Sequence, residues 1–168
     1  TERIIKAEYK TSISTAYGVF DVTAYKQLTT GDIHLAFSQG TFDDGNPALV
    51  RVHSSTETGD ILGMLFEGYS EATTNALKMI NKEGRGVLLY MRHGEKNESI
   101  IQKLMDIHKK GQGKEGSVAD EQRDFGIGAQ ILRDFGIEKI RLISNHSSTK
   151  RVGLIGYGLE IVEYVELT

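Results

Sequence analysis

No cysteine occurs in the 168 residues. The chain therefore has neither disulfide staples nor the thiolates on which most structural zinc sites and several catalytic ones depend. No stretch approaches the ~18 consecutive apolar residues of a membrane-spanning helix. There is no excess of positive charge either, since 20 basic residues face 23 acidic ones for a net charge of −3. That balance excludes the electrostatic footprint of a nucleic-acid binder or of a protein drawn to an anionic membrane. The opening Thr1-Glu2-Arg3 has no initiator methionine or apolar signal segment, and it is read as the cut edge of a longer chain. What is present is an ordinary globular composition, 39% hydrophobic and 26% charged, which excludes disorder, collagen and coiled coil. A chain of this length buries roughly 70% of its unfolded surface, enough for a core without staples.

Residues 1–54 read as strands. Arg3–Tyr9, Val19–Tyr25, Ile33–Phe37 and Ala48–His53 are the candidates, separated by Gly18, by Thr29-Thr30-Gly31-Asp32 and by Asp43-Asp44-Gly45-Asn46-Pro47, which holds the only proline. This spacing predicts a four-stranded antiparallel meander. From Ser70 the period becomes helical, with Ala72, Ala76, Leu77 and Ile80 on one face, Ser70 as N-cap and Gly84 at the C-terminal end. Gly86–Met91 is too apolar to alternate and reads as a buried strand. A second helix is expected from Asn97 through Ile100, Ile101, Leu104, Met105 and His108, and a third over Ile127–Phe135, stopped by Gly136. Lys139–Ile143 reads as a strand, Lys150–Tyr157 as a short helix and Leu159–Val165 as the last strand. The fold class that follows is α/β, one mixed sheet covered by helices. Lys109–Glu121 lacks a hydrophobic period and is expected to be a mobile loop.

Within that loop, Gly111–Ser117 has no lysine and hydroxyl directly after its last glycine, so it is not a phosphate loop. Arg51-Val52-His53-Ser54, followed by Thr58-Gly59-Asp60, gathers polar groups at a strand end, where sites form in α/β folds. His53 alone is equally readable as a satisfied core histidine. Glu83-Gly84-Arg85-Gly86 reads as a helix end. Arg123–Leu132 is less ordinary, because Gly126 and Gly128 sit where a helix should begin. Ser144–Lys150 places hydroxyls and a lysine ahead of an expected helix N-terminus, a ready anion site or simply an N-cap.

Taken in order, these segments resemble the GTP cyclohydrolase II family, in particular the version fused behind 3,4-dihydroxy-2-butanone 4-phosphate synthase in bifunctional riboflavin-biosynthesis proteins. Arg51–Ser54, Thr58–Asp60, Glu83–Gly86 with Leu88–Tyr90, Arg123–Leu132, and Val152–Leu154 with Gly156–Glu163 carry the likeness, which covers nearly the whole chain. The resemblance implies a two-part reaction. An arginine attacks the α-phosphate of GTP and releases pyrophosphate; a zinc-bound water then opens the imidazole ring and releases formate. Cysteines hold that zinc in the family, and their positions fall here on Thr56, Glu67 and Tyr69, which do not recreate a thiolate site. The loop before Arg123 is also shorter, and the family's glutamate-glycine-arginine appears as Gly94-Glu95-Lys96.

The residues that survive define the expectation. By resemblance, Arg123 stands at the nucleophilic arginine and Glu121 near its proton acceptor, both as vestigial catalytic candidates. Arg51, His53, Ser54, Lys96 and Lys150 are nucleotide-binding candidates, and no metal ligand is assigned. The chain is thus expected to be a single domain over residues 1–168, the C-terminal piece of a longer cytoplasmic, homodimeric protein. The domain would lack zinc-dependent ring opening and any cofactor of its own. It would act as a structural or nucleotide-sensing partner, for GTP or another phosphate-bearing nucleotide, of a covalently linked synthase domain that uses magnesium. The alternatives are an active GTP cyclohydrolase II, or a metal-independent relative converting GTP to GMP and pyrophosphate.

Overall fold

The apolar run Val87-Leu88-Leu89-Tyr90-Met91 is buried on both faces of the sheet, and the rest of the chain is arranged to cover it. The computed structural model describes residues 3–55, 71–92, 118–144, 153–154 and 158–168. The strands are β1 (Ile5–Thr15), β2 (Gly18–Gln27), β3 (Ile33–Gln39), β4 (Ala48–Ser55), β5 (Gly86–Arg92), β6 (Lys139–Ser144), β7 (Gly153–Leu154) and β8 (Glu160–Glu166). The described helices are α1 (Glu71–Glu83) and α2 (Val118–Asp134). One sheet results, in the order β1-β2-β3-β5-β4-β6-β8-β7. This is the expected mixed α/β architecture.

Alternation along β4 and β5 divides the core. Leu49, Leu88, Tyr90 and Ile143 face α1, where Ala76, Leu77 and Ile80 pack on them together with Phe20 and Phe37. Ala48, Val50, Val87, Leu89 and Met91 face the other way, against Ile127, Ala129, Ile131 and Leu132 of α2. Both helices end on glycine at positive φ, Gly84 at 78° and Gly136 at 84°. The second end is a Schellman motif, in which the N–H of Ile137 bonds the carbonyl of Leu132 at 3.0 Å and that of Gly136 bonds Arg133 at 2.9 Å.

Four expectations are corrected. The first strand starts at Ile5 and runs on to Thr15, kinked by a bulge between Ala7 and Tyr9, because the whole segment pairs with β2. Only β1, β2 and β3 form the antiparallel meander. The fourth strand does not pair with the third. β5 lies between them, antiparallel to β3 and parallel to β4, while β6 is parallel to β4 on its other side. Arg85 secures the crossing segment. It donates to the carbonyls of Thr41 (2.9 Å), Pro47 (2.9 Å) and Asn46 (3.1 Å), pairs with Asp44 at 2.8 Å, and lies over the Phe42 ring.

The third helix begins at Val118 rather than Ile127, so Val118–Glu121 of the expected mobile loop is helical and both glycines lie inside the helix. Gly128 is there for close packing, since a Cβ on it would stand 3.1 Å from Leu89 Cδ1. Within the helix expected over 150–157, Gly153–Leu154 instead pairs antiparallel with β8, and the remaining residues of that span lie outside the described ones. Glycine is a poor helix former, and the sheet edge offers its backbone partners. The helix expected over 97–108, Ser70 and residues 109–117 of the expected loop lie outside the described residues.

Gly86 is the least replaceable glycine in the core, because a Cβ there would sit 2.7 Å from the Leu49 carbonyl oxygen, a backbone atom that cannot swing aside. Gly86→Ala is expected to cost about 1–3 kcal/mol of overpacking. Gly128→Ala meets only a side-chain methyl and recovers up to about 1 kcal/mol of helix propensity, so it should be close to neutral. Urea denaturation of the two variants checks the order; a Gly128→Ala loss equal to that of Gly86→Ala would contradict it.

Candidate functional site

Two adjacent parallel strands, β4 and β5, are followed in the chain by helices that cover opposite faces of the sheet, α1 and α2. In α/β sheets the ends of two such strands form the switch point at which ligand crevices open. Arg51 lies midway along β4, and His53 and Ser54 lie toward its C-terminal end, in register with Leu88, Tyr90 and Met91 of β5.

Arg51 and His53 are two residues apart in the strand and so emerge on one face, the α1 side. Arg51 is part-buried. Its Nη1 donates to the Ile143 carbonyl of β6 at 3.2 Å, while its Nε is buried with no hydrogen-bond partner. Among the described residues no carboxylate pairs with it. Burial lowers its pKa, yet an arginine remains charged in proteins. The outcome is a guanidinium partly shielded from water and only partly satisfied, an arrangement that an anion could complete.

His53 is held by two contacts. Its ring stacks on Tyr90 with centroids 5.3 Å apart and planes inclined by 26°. Its Nδ1 lies 3.3 Å from Oγ1 of Thr73 in the first turn of α1. Desolvation first, and the neighbouring Arg51 charge second, hold its pKa below the ordinary value. The imidazole is thus a neutral group beside a cation.

The other candidates are distributed as follows. Glu121 and Arg123 lie in the first half of α2, the helix packed on the face opposite Arg51 and His53. A short turn joins α2 to β6, which is parallel to β4, so α2 runs antiparallel to these strands and starts toward their ends. Lys96 and Lys150 lie outside the described residues, as do Thr58–Asp60 and 145–150. Sequence reasoning missed Thr73 and the stacking role of Tyr90. A signal existed for the first: Thr73 shares the 3.6-residue stripe of Ala76, Leu77 and Ile80 and is fully buried, and a hydroxyl on a core stripe needs a partner.

The zinc that the resemblance implies does not fit the donors available. The chain has no thiolate, and among the described residues no group of three His, Cys, Asp or Glu converges. His53 spends its Nδ1 on Thr73. The positions matching the family's cysteines, Thr56, Glu67 and Tyr69, lie outside the described residues.

Fold and site together define an α/β domain that carries a part-buried arginine and a neighbouring imidazole on one face of β4. The family model described as GTP cyclohydrolase II matches residues 6–166, and the chain belongs to that family. It is 41% identical to the riboflavin biosynthesis protein RibBA of Cytophaga hutchinsonii over 99% of this chain and 42% of that protein. RibBA of Chlorobium phaeovibrioides gives 41% over 98% and 42%. The chain therefore spans about two fifths of these relatives. Among solved structures, RibBX of A. baumannii, described as a two-domain 3,4-dihydroxy-2-butanone 4-phosphate synthase, superposes with a TM-score of 0.59 at 24% identity, over 98% of this chain and 41% of that one. At that identity the likeness establishes the fold. No described helix is long and apolar enough to cross a membrane.

The lowered pKa of His53 has a signed consequence. As pH falls below the ordinary 6.5, the unfolded chain takes up a proton that the native ring refuses, so this site subtracts stability until the native pKa is passed. Denaturation midpoints measured against pH should fall less steeply below 6.5 in His53→Gln than in the parent. Equal slopes would contradict the assignment.

Proposed function

We propose that this is the GTP cyclohydrolase II-like part of a riboflavin-biosynthesis protein, that it has lost zinc-dependent ring opening, and that it retains a site for the phosphates of GTP or a similar nucleotide. The observation that carries the reading is the part-buried Arg51, its Nε without a partner, in a chain with no thiolate to hold zinc. The family supplies the nucleotide, and the strand end supplies the charge that would meet its phosphates. Arg51 and His53 form the described part of that site, with Ser54, Lys96 and Lys150 as further contacts. Glu121 and Arg123 are remnants of the pyrophosphate-releasing half-reaction.

The relatives extend well beyond the matched region, and the solved neighbour is described as a two-domain synthase. The proposal accordingly makes residues 1–168 one domain, C-terminal to a magnesium-dependent 3,4-dihydroxy-2-butanone 4-phosphate synthase in a cytoplasmic homodimer. The domain's role there is to sense nucleotide, with no resident cofactor of its own.

Incubation of the chain with GTP and excess zinc or magnesium, following pyrophosphate and formate separately, tests the loss of chemistry. Neither product is expected, while GTP should raise the melting temperature by linkage. Formate would overturn the reading. Pyrophosphate alone would establish the metal-independent conversion to GMP instead.

A further inference from the structure

The hydroxyl of Thr73 meets the ring of His53. Thr73 is fully buried in the first turn of α1, and its Oγ1 meets Nδ1 of His53 at 3.3 Å. Two assignments are geometrically open. If Nδ1 carried the ring proton and donated it to Oγ1, the threonine O–H would itself need another acceptor, and Thr73 Oγ1 has no other hydrogen-bond partner, side-chain or backbone, among the described residues. A buried O–H without an acceptor loses the hydrogen bond it had in water and regains nothing. If instead the hydroxyl donates to Nδ1, both groups are satisfied and the ring proton stands on Nε2. A doubly protonated ring would strand the same O–H. It would also set an imidazolium against the Arg51 guanidinium and the positive end of the α1 dipole.

We infer that Thr73 is a positioning residue that locks His53 as the neutral Nε2–H tautomer, making the imidazole a second hydrogen-bond donor beside Arg51 in the anion site. The tautomer stands on the Thr73–His53 geometry alone; the anion's identity rests on the proposed nucleotide reading. Tyr90 contributes the stacking plane, which fixes the ring's tilt while Thr73 fixes its rotation. A neutral donor suits this place, because it adds a directed N–H without adding a second buried charge.

Long-range proton–nitrogen NMR of the histidine rings in the intact chain tests the inference, with the His53 signals identified by their loss in His53→Gln. The expected spectrum at neutral pH shows an unprotonated Nδ1 and a protonated Nε2, retained in Thr73→Ser and replaced by a mixture of tautomers in Thr73→Val. A parent spectrum with Nδ1–H or imidazolium would overturn the inference without any variant, as would a Thr73→Val spectrum identical to the parent. Inorganic pyrophosphate is then added, with its binding followed by calorimetry. Binding that shifts the His53 Nε2 signal supports the donor role. Binding without that shift overturns the donor role and leaves the anion reading intact. Absence of binding overturns the anion reading and leaves the tautomer result intact.

Discussion

Everything in this molecule hangs on the parallel pairing of β4 with β5 on one side and β6 on the other. A parallel strand cannot be reached by a hairpin, so each neighbour of β4 requires a crossover, and the crossovers place α1 and α2 on opposite faces. The central strands are thereby buried on both sides, which explains why β5 is almost wholly apolar. The same crossovers leave the ends of β4 and β5 as the place where the two layers part. His53 stands there, with Arg51 one side-chain repeat behind it, because the polar residues of β4 follow the buried Ala48, Leu49 and Val50.

The site follows from a conflict between burial and charge. A guanidinium in the sheet face next to Leu49 and Leu88 loses hydration that its bond to the Ile143 carbonyl replaces only in part, and that imbalance is what the proposed anion would relieve. The neighbouring imidazole resolves the same conflict in the opposite way, by remaining uncharged. Thr73 links the imidazole to α1, so the helix that covers the core also touches the residue inferred to face a ligand. The family's metal chemistry is separable from this arrangement. It requires thiolates, which this chain lacks, so the proposed reading keeps the strand residues for phosphate and gives up the ring-opening step.

Much of the fold was legible before any coordinates. Gly84 and Gly136 mark the helix ends where positive φ is needed, and the unbroken run after Gly86 announced a strand covered on both faces. The misplaced fourth strand has a simple cause: local patterning reports that Ala48–His53 is a strand, but only long-range pairing decides its neighbours, and β5 inserts beside it with Arg85 securing the crossing. The early start of α2 was hidden because Val118–Asp124 is largely polar and two glycines follow, one of them present for its packing on Leu89. Arg51 and His53 were singled out by the motif, whereas Thr73 was not, because a threonine in a helix ordinarily carries no functional meaning. Its burial on an apolar stripe was the legible sign.

The central claim is that Arg51 anchors a phosphate-bearing nucleotide. The most direct measurement is a calorimetric titration of GTP into the intact chain and into Arg51→Met, which keeps the aliphatic bulk and removes the charge. Saturable binding by the parent, weakened ~10-fold or more in the variant as expected for loss of a buried charge-assisted hydrogen bond, is what the account predicts. Equal affinity in the two proteins, or no binding by the parent, would contradict it.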